Sequence, residues 1–174
     1  FLNPRSIAII GASGNFDGIS GKPVRFLKEH GFSGEVYPIN PKYNELKGYK
    51  CYKSILDIPG SVDLALIAVN YRLVLPMLQL CVEKKVKFAS IFASGFAEAG
   101  EEGKALQDKI AALAKESGMG ICGPNCQGSV GLKSRAIGGF SASLGVKPLH
   151  SGPIGYVTQS GALGYSIFSL AQES

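Results

Sequence analysis

The residues best suited to chemistry in this chain of 174 residues form a turn, Gly11-Ala12-Ser13-Gly14, directly after an apolar run at residues 6–10. A glycine-rich turn after the first strand of a parallel sheet brings backbone N–H groups and a helix start to a phosphate or nucleotide. Glycine suits this place because a Cβ atom would hold the ligand off the backbone. The GxxxxGK[ST] pattern of a P-loop is missing, and Ser13 interrupts the GxGxxG pattern of dinucleotide-binding turns. The alternative is an ordinary tight turn.

A second candidate, Lys42, follows the apolar run at residues 36–39. NAD enzymes usually carry Asp or Glu here, about 20 residues past the glycines, to hold the ribose hydroxyl. A cation suits a ribose phosphate or a diphosphate instead. The alternative is a solvated loop lysine, although a place at the carboxyl end of a strand favours ligand binding.

Three further apolar runs end in small or glycine-rich segments, Val69-Asn70, Ala93-Ser94-Gly95 and Gly123-Pro124-Asn125. Because parallel strands end at the same edge of a sheet, these tips would make room for a long ligand lying across that edge. Each segment alone is equally consistent with an ordinary turn. Together with the glycine-rich turn they favour a binding crevice.

Ser160-Gly161, within residues 158–164 (TQSGALG), predicts a phosphate-binding helix start. Backbone donors and the helix dipole at such a place favour an anion. The segment is not a nucleophile elbow, because GxSxG would require glycine at positions 158 and 162.

No catalytic residue and no metal site are predicted. Cys126 has no histidine near it in the sequence, and a free cysteine is often simply packed. His30 and His150 are expected to be structural or solvated. The four cysteines contain no CxxC pair, so neither a zinc site nor a disulfide framework is indicated.

The elements that must position these residues alternate along the chain. Six apolar runs begin about thirty residues apart, the length of one strand–helix–strand unit, and they are unbroken, as in strands buried on both faces. Helical periodicity follows at residues 20–31, 71–85 and 100–118, where Pro76 is compatible only with a first turn. The pattern predicts an α/β protein with a Rossmann-like doubly wound parallel sheet. The predicted strands are residues 6–10, 36–39, 64–69, 88–92, 119–122 and 154–157.

The predicted domain limits follow from where the alternation of strands and helices stops. Residues 1–128 form the predicted ligand-binding domain, and residues 129–150 are predicted to be a connection because they show glycine, serine and proline without a sustained period. Residues 151–174 supply one strand and part of a helix, which cannot build a core alone. They are expected to begin a second, truncated domain.

Composition excludes several classes of protein. The net charge is +5, and the charged residues, 18% of the chain, are interspersed, which argues against disorder and a nucleic-acid-binding arm. The longest apolar runs have six residues, far short of a membrane span. Without a signal peptide, a cytoplasmic protein is expected.

Several motifs, in order along the chain, together resemble the NDP-forming acyl-CoA synthetases, best known as ADP-forming acetyl-CoA synthetases, and more distantly the succinyl-CoA synthetase alpha subunit. They are Pro4-Arg5-Ser6-Ile7, Gly11-Ala12-Ser13, residues 34–42 (GEVYPINPK), 62–69 (VDLALIAV), 95–100 (GFAEAG), 123–126 (GPNC) and 158–164 (TQSGALG).

The resemblance implies that residues 1–128 bind coenzyme A and that residues 151–174 begin a flavodoxin-like domain. The turn at Gly11, Ala12, Ser13 and Gly14, with Lys42, would hold the phosphate and ribose end of CoA. The rest of the cofactor would lie along Val69, Asn70, Ala93, Ser94 and Asn125. Ser160-Gly161 would be one of two helix starts that neutralise a phosphohistidine.

Family members convert acyl-CoA, ADP and phosphate to acid, CoA and ATP through an acyl phosphate and that phosphohistidine. The complete enzyme would use ATP or ADP with Mg, and its partners would be acyl-CoA, a missing ATP-grasp domain or subunit, and other subunits of an oligomer. Neither His30 nor His150 matches the phosphorylated histidine, which lies downstream. Asn70 and Gln127 depart from the family pattern.

Three alternatives stay open from the sequence. The same module occurs as the regulatory part of synthetase-like lysine acetyltransferases, and a stand-alone CoA-binding protein is also possible, although TQSGALG counts against it. A NAD(P)-binding domain is the remaining rival, weakened by the missing acidic residue.

Overall fold

The computed structural model describes residues 1–173 as a central parallel sheet with helices on both faces and two small antiparallel sheets beside it. The strands are β1 (Ser6–Ile10), β2 (Glu35–Ile39), β3 (Glu45–Leu46), β4 (Tyr49–Lys50), β5 (Leu64–Ile67), β6 (Phe88–Ile91), β7 (Gly120–Cys122), β8 (Gly128–Gly131) and β9 (Ala136–Gly139). The helices are α1 (Lys22–Glu29), α2 (Tyr71–Glu83), α3 (Glu101–Ser117) and α4 (Gly161–Glu173).

The central sheet has the strand order β2-β1-β5-β6-β7, and its strands pair in parallel. The chain leaves β1 in one direction to form β2, then crosses back past β1 to form β5. This reversal creates a switch point between the carboxyl ends of β1 and β5, which is where open α/β sheets bind ligands. The predicted Rossmann-like, doubly wound α/β fold is confirmed.

Alternate residues of the central strands enter two separate cores, which explains the unbroken apolar runs. In β1, Ile7 and Ile9 pack in the core of α1, whereas Ala8 and Ile10 pack in the core of α2 and α3. Each of the four is at most 2% exposed. The five predicted strands of this sheet are confirmed, and β1 has its predicted bounds.

Helix α2 differs from expectation at Pro76. Tyr71 is the first residue of α2, so Pro76 lies in the second turn, and the expectation of a first-turn position is wrong. The missing N–H leaves the Arg72 carbonyl without its helical partner. Both residues are exposed, so the carbonyl is within reach of solvent in place of that partner.

Residues 129–150, predicted as an irregular connection, contain most of the antiparallel hairpin β8–β9. Ile137 of this hairpin is 1% exposed and packs with Phe26 of α1 and with Leu144. Gly139 lies so close to the neighbouring chain that a Cβ atom would be 2.8 Å from the Gln127 carbonyl oxygen. Close backbone packing selects glycine here and so removes the alternating apolar pattern that would have revealed the strand. The domain limits at residues 128 and 150 stay predictions.

The predicted strand at residues 154–157 is wrong. All of residues 151–160 are exposed, with Val157 at 97%. A strand needs a partner for its N–H and C=O groups, and no other strand within residues 1–173 lies beside this segment. The predicted helix that follows is present as α4, although its last residue, Ser174, lies outside the described residues. A second domain beginning at residue 151 stays a prediction.

None of the helices described within residues 1–173 is long and apolar enough to cross a membrane.

Candidate functional site

Gly11 stands at the switch point, immediately after β1. Its φ is +87°, and its N–H donates to the Ile39 carbonyl of β2 at 2.9 Å. A Cβ atom on Gly11 would lie 2.5 Å from the Ala68 carbonyl oxygen and 2.8 Å from Val69 Cγ1. The space beside Gly11 is filled by the chain that follows β5. Strand packing, rather than ligand approach, therefore requires glycine at this position.

The rest of the predicted turn belongs to a loop, residues 12–20, that folds back over the start of α1. Ser13 Oγ accepts the N–H of Asn15 at 3.1 Å, and Asp17 Oδ1 accepts a hydrogen bond from Arg25 Nη1 of α1 at 2.5 Å. Ala12 is buried, Ser13 is half-buried and Gly14 is exposed. The second half of the turn, not the first, is therefore the part that faces solvent.

Asn40 joins this turn to the segment carrying Lys42. Its Nδ2 donates to the Ala12 carbonyl at 2.9 Å, and its Oδ1 accepts the N–H of Lys42 at 2.9 Å. One amide thus fixes the glycine-rich turn and the end of β2 relative to each other. Asn40 is not among the site residues predicted from the sequence. The Asn-Pro-Lys segment signals its local turn, but nothing local signals a contact with Ala12, 28 residues away.

Lys42 is exposed at the carboxyl end of β2. Within residues 1–173, no carboxylate forms an ion pair with it. Lys47, on the neighbouring β3–β4 turn, differs because its Nζ lies 4.0 Å from Glu29 Oε1 and 4.9 Å from the centre of the Phe16 ring. Lys42 therefore presents an uncompensated positive charge at the place predicted for a phosphate.

Val69 and Asn70 form the tip after β5. Val69 is half-buried against Gly11, and Asn70 is exposed. Asn70 Oδ1 accepts the N–H of Arg72 at 3.1 Å, so its side chain caps the start of α2. This capping gives Asn70 a structural role in its own right.

The tips after β6 and β7 are held together by a backbone hydrogen bond. The N–H of Asn125 donates to the Ala93 carbonyl at 2.9 Å. Asn125 has a φ of +55°, and both it and Ser94 are exposed. The structure therefore brings together three of the five residues that were predicted to lie along the rest of the cofactor, namely Ala93, Ser94 and Asn125.

Glu98 closes the loop after β6, a role that sequence analysis missed. Its Oε1 accepts the N–H of Gly95 at 2.6 Å, and this hydrogen bond is the main cause that holds the pKa of Glu98 below its ordinary value. Gly95 has a φ of +104°, and its Cβ position lies 3.2 Å from the Tyr71 ring. The ionised carboxylate thus fixes a turn in which glycine is required.

The hydrogen-bond ladder of the sheet continues one step beyond the strand ends. The N–H of Ala68 donates to the Ile10 carbonyl at 2.9 Å, and the N–H of Phe92 donates to the Ile67 carbonyl at 3.0 Å. The bond from the Gly11 N–H to the Ile39 carbonyl continues the ladder in the same way. The strand tips therefore share one continuous backbone floor. We use the name crevice for the region above this floor bounded by Gly14, Lys42, Asn70, Ser94 and Asn125.

The start of α4 lies beside the β7 end of the crevice. A Cβ atom on Gly161 would be 2.1 Å from Gln127 Nε2, and Gln127 follows Asn125 by two residues. Ser160 Oγ accepts the N–H of Leu163 at 3.3 Å. The predicted phosphate-binding helix start thus already uses its serine as a cap, and its position is next to the other candidate residues.

His30 occupies a structural position, because its Nε2 lies 2.7 Å from the Leu144 carbonyl oxygen at the C-terminal end of α1. His150 is exposed, and its backbone N–H donates to Gln172 Oε1 at 2.6 Å. Within residues 1–173, no three His, Cys, Asp or Glu side chains are grouped closely enough to hold a metal ion.

A surface cleft of about 400 Å³ lies at the C-terminal end of α1, lined by Glu29, Arg135 and Lys147 among others. Lys147 Nζ is 3.3 Å from Glu29 Oε2, so its charge is paired. Because α1 starts near the crevice and has eight residues, the cleft lies about 12 Å away along the helix. It is separate from the crevice.

The sequence is similar to several ADP-forming CoA ligases. The acetate–CoA ligase [ADP-forming] I subunit alpha of Pyrococcus furiosus is 38% identical over 170 residues, which cover 95% of this chain and 36% of that protein. The 4-hydroxybutyrate–CoA ligase [ADP-forming] of Nitrosopumilus maritimus is 42% identical over 162 residues, covering 93% and 23%. The chain therefore spans about a quarter to a third of the length of these relatives.

A solved structure shares the fold over nearly the whole chain. It is the dinucleotide forming acetyl-coenzyme A synthetase 1 of Ca. Korarchaeum cryptofilum in complex with phosphate and ADP, with a TM-score of 0.89, 36% identity, and coverage of 99% of this chain and 36% of that one. A family profile described as a CoA binding domain matches residues 5–131, from the strand before the glycine-rich turn to the end of β8. The chain thus belongs to the CoA binding domain family and is homologous to the ADP-forming CoA ligases.

Proposed function

We propose that the chain binds coenzyme A in the crevice. The phosphate and ribose end would lie against the turn Gly11-Ala12-Ser13-Gly14 and Lys42. The pantetheine arm would run across the floor, past Val69, Asn70, Ala93, Ser94 and Asn125. The observation that carries this placement is the Asn40 bridge, because its two hydrogen bonds of 2.9 Å hold the glycine-rich turn and the backbone of Lys42 as one unit.

The charges at the end of β2 favour a phosphate over an unphosphorylated ribose. A NAD site needs a carboxylate there to accept the ribose hydroxyls. Asn40 stands at the end of β2, but its oxygen already accepts the Lys42 N–H and its nitrogen already donates to Ala12. The first charged side chain after Asn40 is that of Lys42, which is exposed and forms no ion pair with the described residues. A positive charge at this place suits the several phosphates of CoA.

The names of the relatives support a role in ADP-forming acyl-CoA synthesis. In that role the complete protein interconverts acyl-CoA, ADP and phosphate with acid, CoA and ATP through an acyl phosphate and a phosphohistidine. An ATP-grasp domain or subunit would supply the ATP or ADP site with Mg, within a cytoplasmic oligomer. The start of α4 at Ser160-Gly161 would then face the phosphate group of the phosphohistidine, since this helix start lies beside Gln127 at the edge of the crevice.

Calorimetric titration of the chain with CoA, and with NAD and NADP in parallel, tests the proposal. We expect heat of binding with CoA alone. Lys42→Ala should weaken CoA binding about tenfold, the loss of one charged hydrogen bond of about 1.5 kcal/mol. It should weaken dephospho-CoA binding less if Lys42 meets the ribose phosphate.

Lys109→Ala is the matched control, because Lys109 is an exposed lysine on α3. It should leave CoA affinity unchanged. Binding of NAD or NADP without CoA, or equal effects of the two lysine variants on CoA, would contradict the proposed site.

A further inference from the structure

Two cysteines flank the loop at the β7 end of the crevice. Cys122 is the last residue of β7, and Cys126 follows the Gly123-Pro124-Asn125 segment. Gly123 has a φ of +100° and Asn125 a φ of +55°, so the chain turns back on itself. As a result, Cys126 Sγ lies 3.5 Å from the Cys122 carbonyl oxygen and 3.3 Å from the Cβ position of Gly123.

Both cysteines are anchored to neighbouring residues of β6. Cys122 pairs with Ser90 in the ladder, and the N–H of Cys126 donates to the Ile91 carbonyl at 3.1 Å. Ser90 and Ile91 are consecutive residues of β6, so the sheet holds the backbones of the two cysteines next to each other. The two residues are therefore brought together by secondary structure.

The two thiols differ in reactivity. A hydrogen bond from the Cys126 thiol lowers the pKa of the half-buried Cys122 below its ordinary value. The same pairing, together with burial, raises the pKa of Cys126. Because the thiolate is the nucleophile, Cys122 is the attacking residue. Burial raises the pKa of Cys81 to about 12, which leaves that thiol inert.

We propose that Cys122 and Cys126 form a redox-sensitive dithiol that closes to a disulfide and thereby weakens ligand binding in the crevice. The oxidant is a low-molecular-weight disulfide such as glutathione disulfide. The Cys122 thiolate attacks one sulfur of the oxidant, which forms a mixed disulfide and releases one glutathione thiolate. Cys126 then gives its proton to solvent and attacks the Cys122 sulfur, releasing the second glutathione. Two protein thiols are oxidised, and one glutathione disulfide is reduced to two thiols.

Closure acts on the crevice through Asn125, and this step rests on the CoA function proposed above. A disulfide requires the two sulfurs to approach to about 2.05 Å, which tightens the three-residue loop between them. Asn125 lies in that loop, and its N–H is bonded to Ala93 across the floor of the crevice. Tightening therefore moves the β7 tip relative to the β6 tip, and we expect CoA affinity to fall about tenfold.

Mass spectrometry of the whole chain after incubation with glutathione disulfide tests the dithiol without any ligand. The wild type should lose two hydrogens and carry no adduct, and the disulfide should map to the tryptic peptide of residues 116–133, which contains both cysteines. Cys126→Ser should instead keep a stable glutathione adduct on Cys122. Cys122→Ser should stay largely unmodified, and Cys81→Ala should behave as the wild type.

Calorimetry with desulfo-CoA, which has no thiol and cannot reduce the protein, then compares the oxidised and reduced chains. The oxidised form should bind about tenfold more weakly, and dithiothreitol should restore the affinity. A persistent adduct on the wild type, or no oxidation, overturns the dithiol. A disulfide with unchanged affinity overturns its effect on the crevice. If the reduced chain does not bind desulfo-CoA, the CoA function itself fails, and the mass data alone decide the dithiol.

Discussion

Replacing Asn40 by alanine is the sharpest test of how the crevice is built. The substitution removes two hydrogen bonds of 2.9 Å, one to the Ala12 carbonyl and one from the Lys42 N–H. Each such bond contributes about 1 kcal/mol net. We therefore expect Asn40→Ala to lower the free energy of unfolding by roughly 2 kcal/mol.

The same substitution should weaken CoA binding by about tenfold, which corresponds to about 1.4 kcal/mol. Without the bridge, the loop carrying Gly14 and the segment carrying Lys42 lose their fixed relation, so binding must order them. Asn40→Asp separates the two bonds, because it keeps an acceptor for the Lys42 N–H but puts an oxygen against the Ala12 carbonyl. It also adds a negative charge near the proposed phosphates, so it should weaken CoA binding at least as much as alanine.

Urea unfolding and calorimetric titration with CoA measure the two effects on the same samples. Asn44→Ala is the control, since Asn44 is exposed and lies on the same connection after β2. It should change neither quantity appreciably. If Asn40→Ala lowers the stability but binds CoA as the wild type does, Asn40 only stabilises the fold and the proposed position of the CoA site is wrong.

Three further predictions concern the stability of the fold. Gly11→Ala should destabilise the chain by more than about 3 kcal/mol in urea, because positive φ and a 2.5 Å backbone contact both oppose a side chain, whereas Gly14→Ala should be tolerated. Asp63 has a pKa lowered mainly by its hydrogen bond from Lys87, so ionised Asp63 stabilises the fold above its unfolded pKa and loses this effect as the pH falls through the folded value. Asp63→Asn should therefore be less stable than the wild type by about 1 kcal/mol at pH 7, and unfolding curves at successively lower pH should show this difference shrinking. Ile137→Ala should cost about 2–4 kcal/mol by thermal or urea unfolding, and a near-neutral effect would contradict the packing of β8–β9 on α1.

Sequence patterns predicted the central sheet well because its physics is local. A strand covered on both faces is apolar along nearly its whole length, and β1 shows this from Ile7 to Ile10. Helix α3 likewise ends where a glycine is expected, at Gly118 with a φ of +72°. In both cases the residues that decide the structure lie within the element itself.

The hairpin β8–β9 and the Asn40 bridge were missed for the opposite reason. A Cβ atom on Gly139 would lie 2.8 Å from the Gln127 carbonyl oxygen and 2.8 Å from the hydroxyl of Tyr165, which is distant in the sequence, and a glycine gives no strand signal. Asn40 resembles any turn asparagine until Ala12 is placed beside it. The strand predicted at residues 154–157 failed similarly, because an apolar run forms a strand only where a partner edge is present.

The candidate residues were placed correctly at one sheet edge, but their individual roles were not readable from sequence. Gly11 was chosen for ligand approach, and the structure gives it a packing role against Ala68. Asn70 was chosen for the ligand, and it caps α2. Topology brings strand ends together for any parallel sheet, whereas the purpose of each side chain depends on its neighbours in space.

The continuous backbone floor separates the integrity of the fold from the choice of ligand. The bonds from Ala68 to Ile10 and from Phe92 to Ile67 involve main-chain atoms only, so they persist whatever side chains stand above them. An exposed position such as Ser94 can therefore change by mutation with little loss of folding stability. A crevice built in this way lets related proteins diverge in affinity and ligand preference by small surface steps, each of which leaves a folded intermediate for selection to act on.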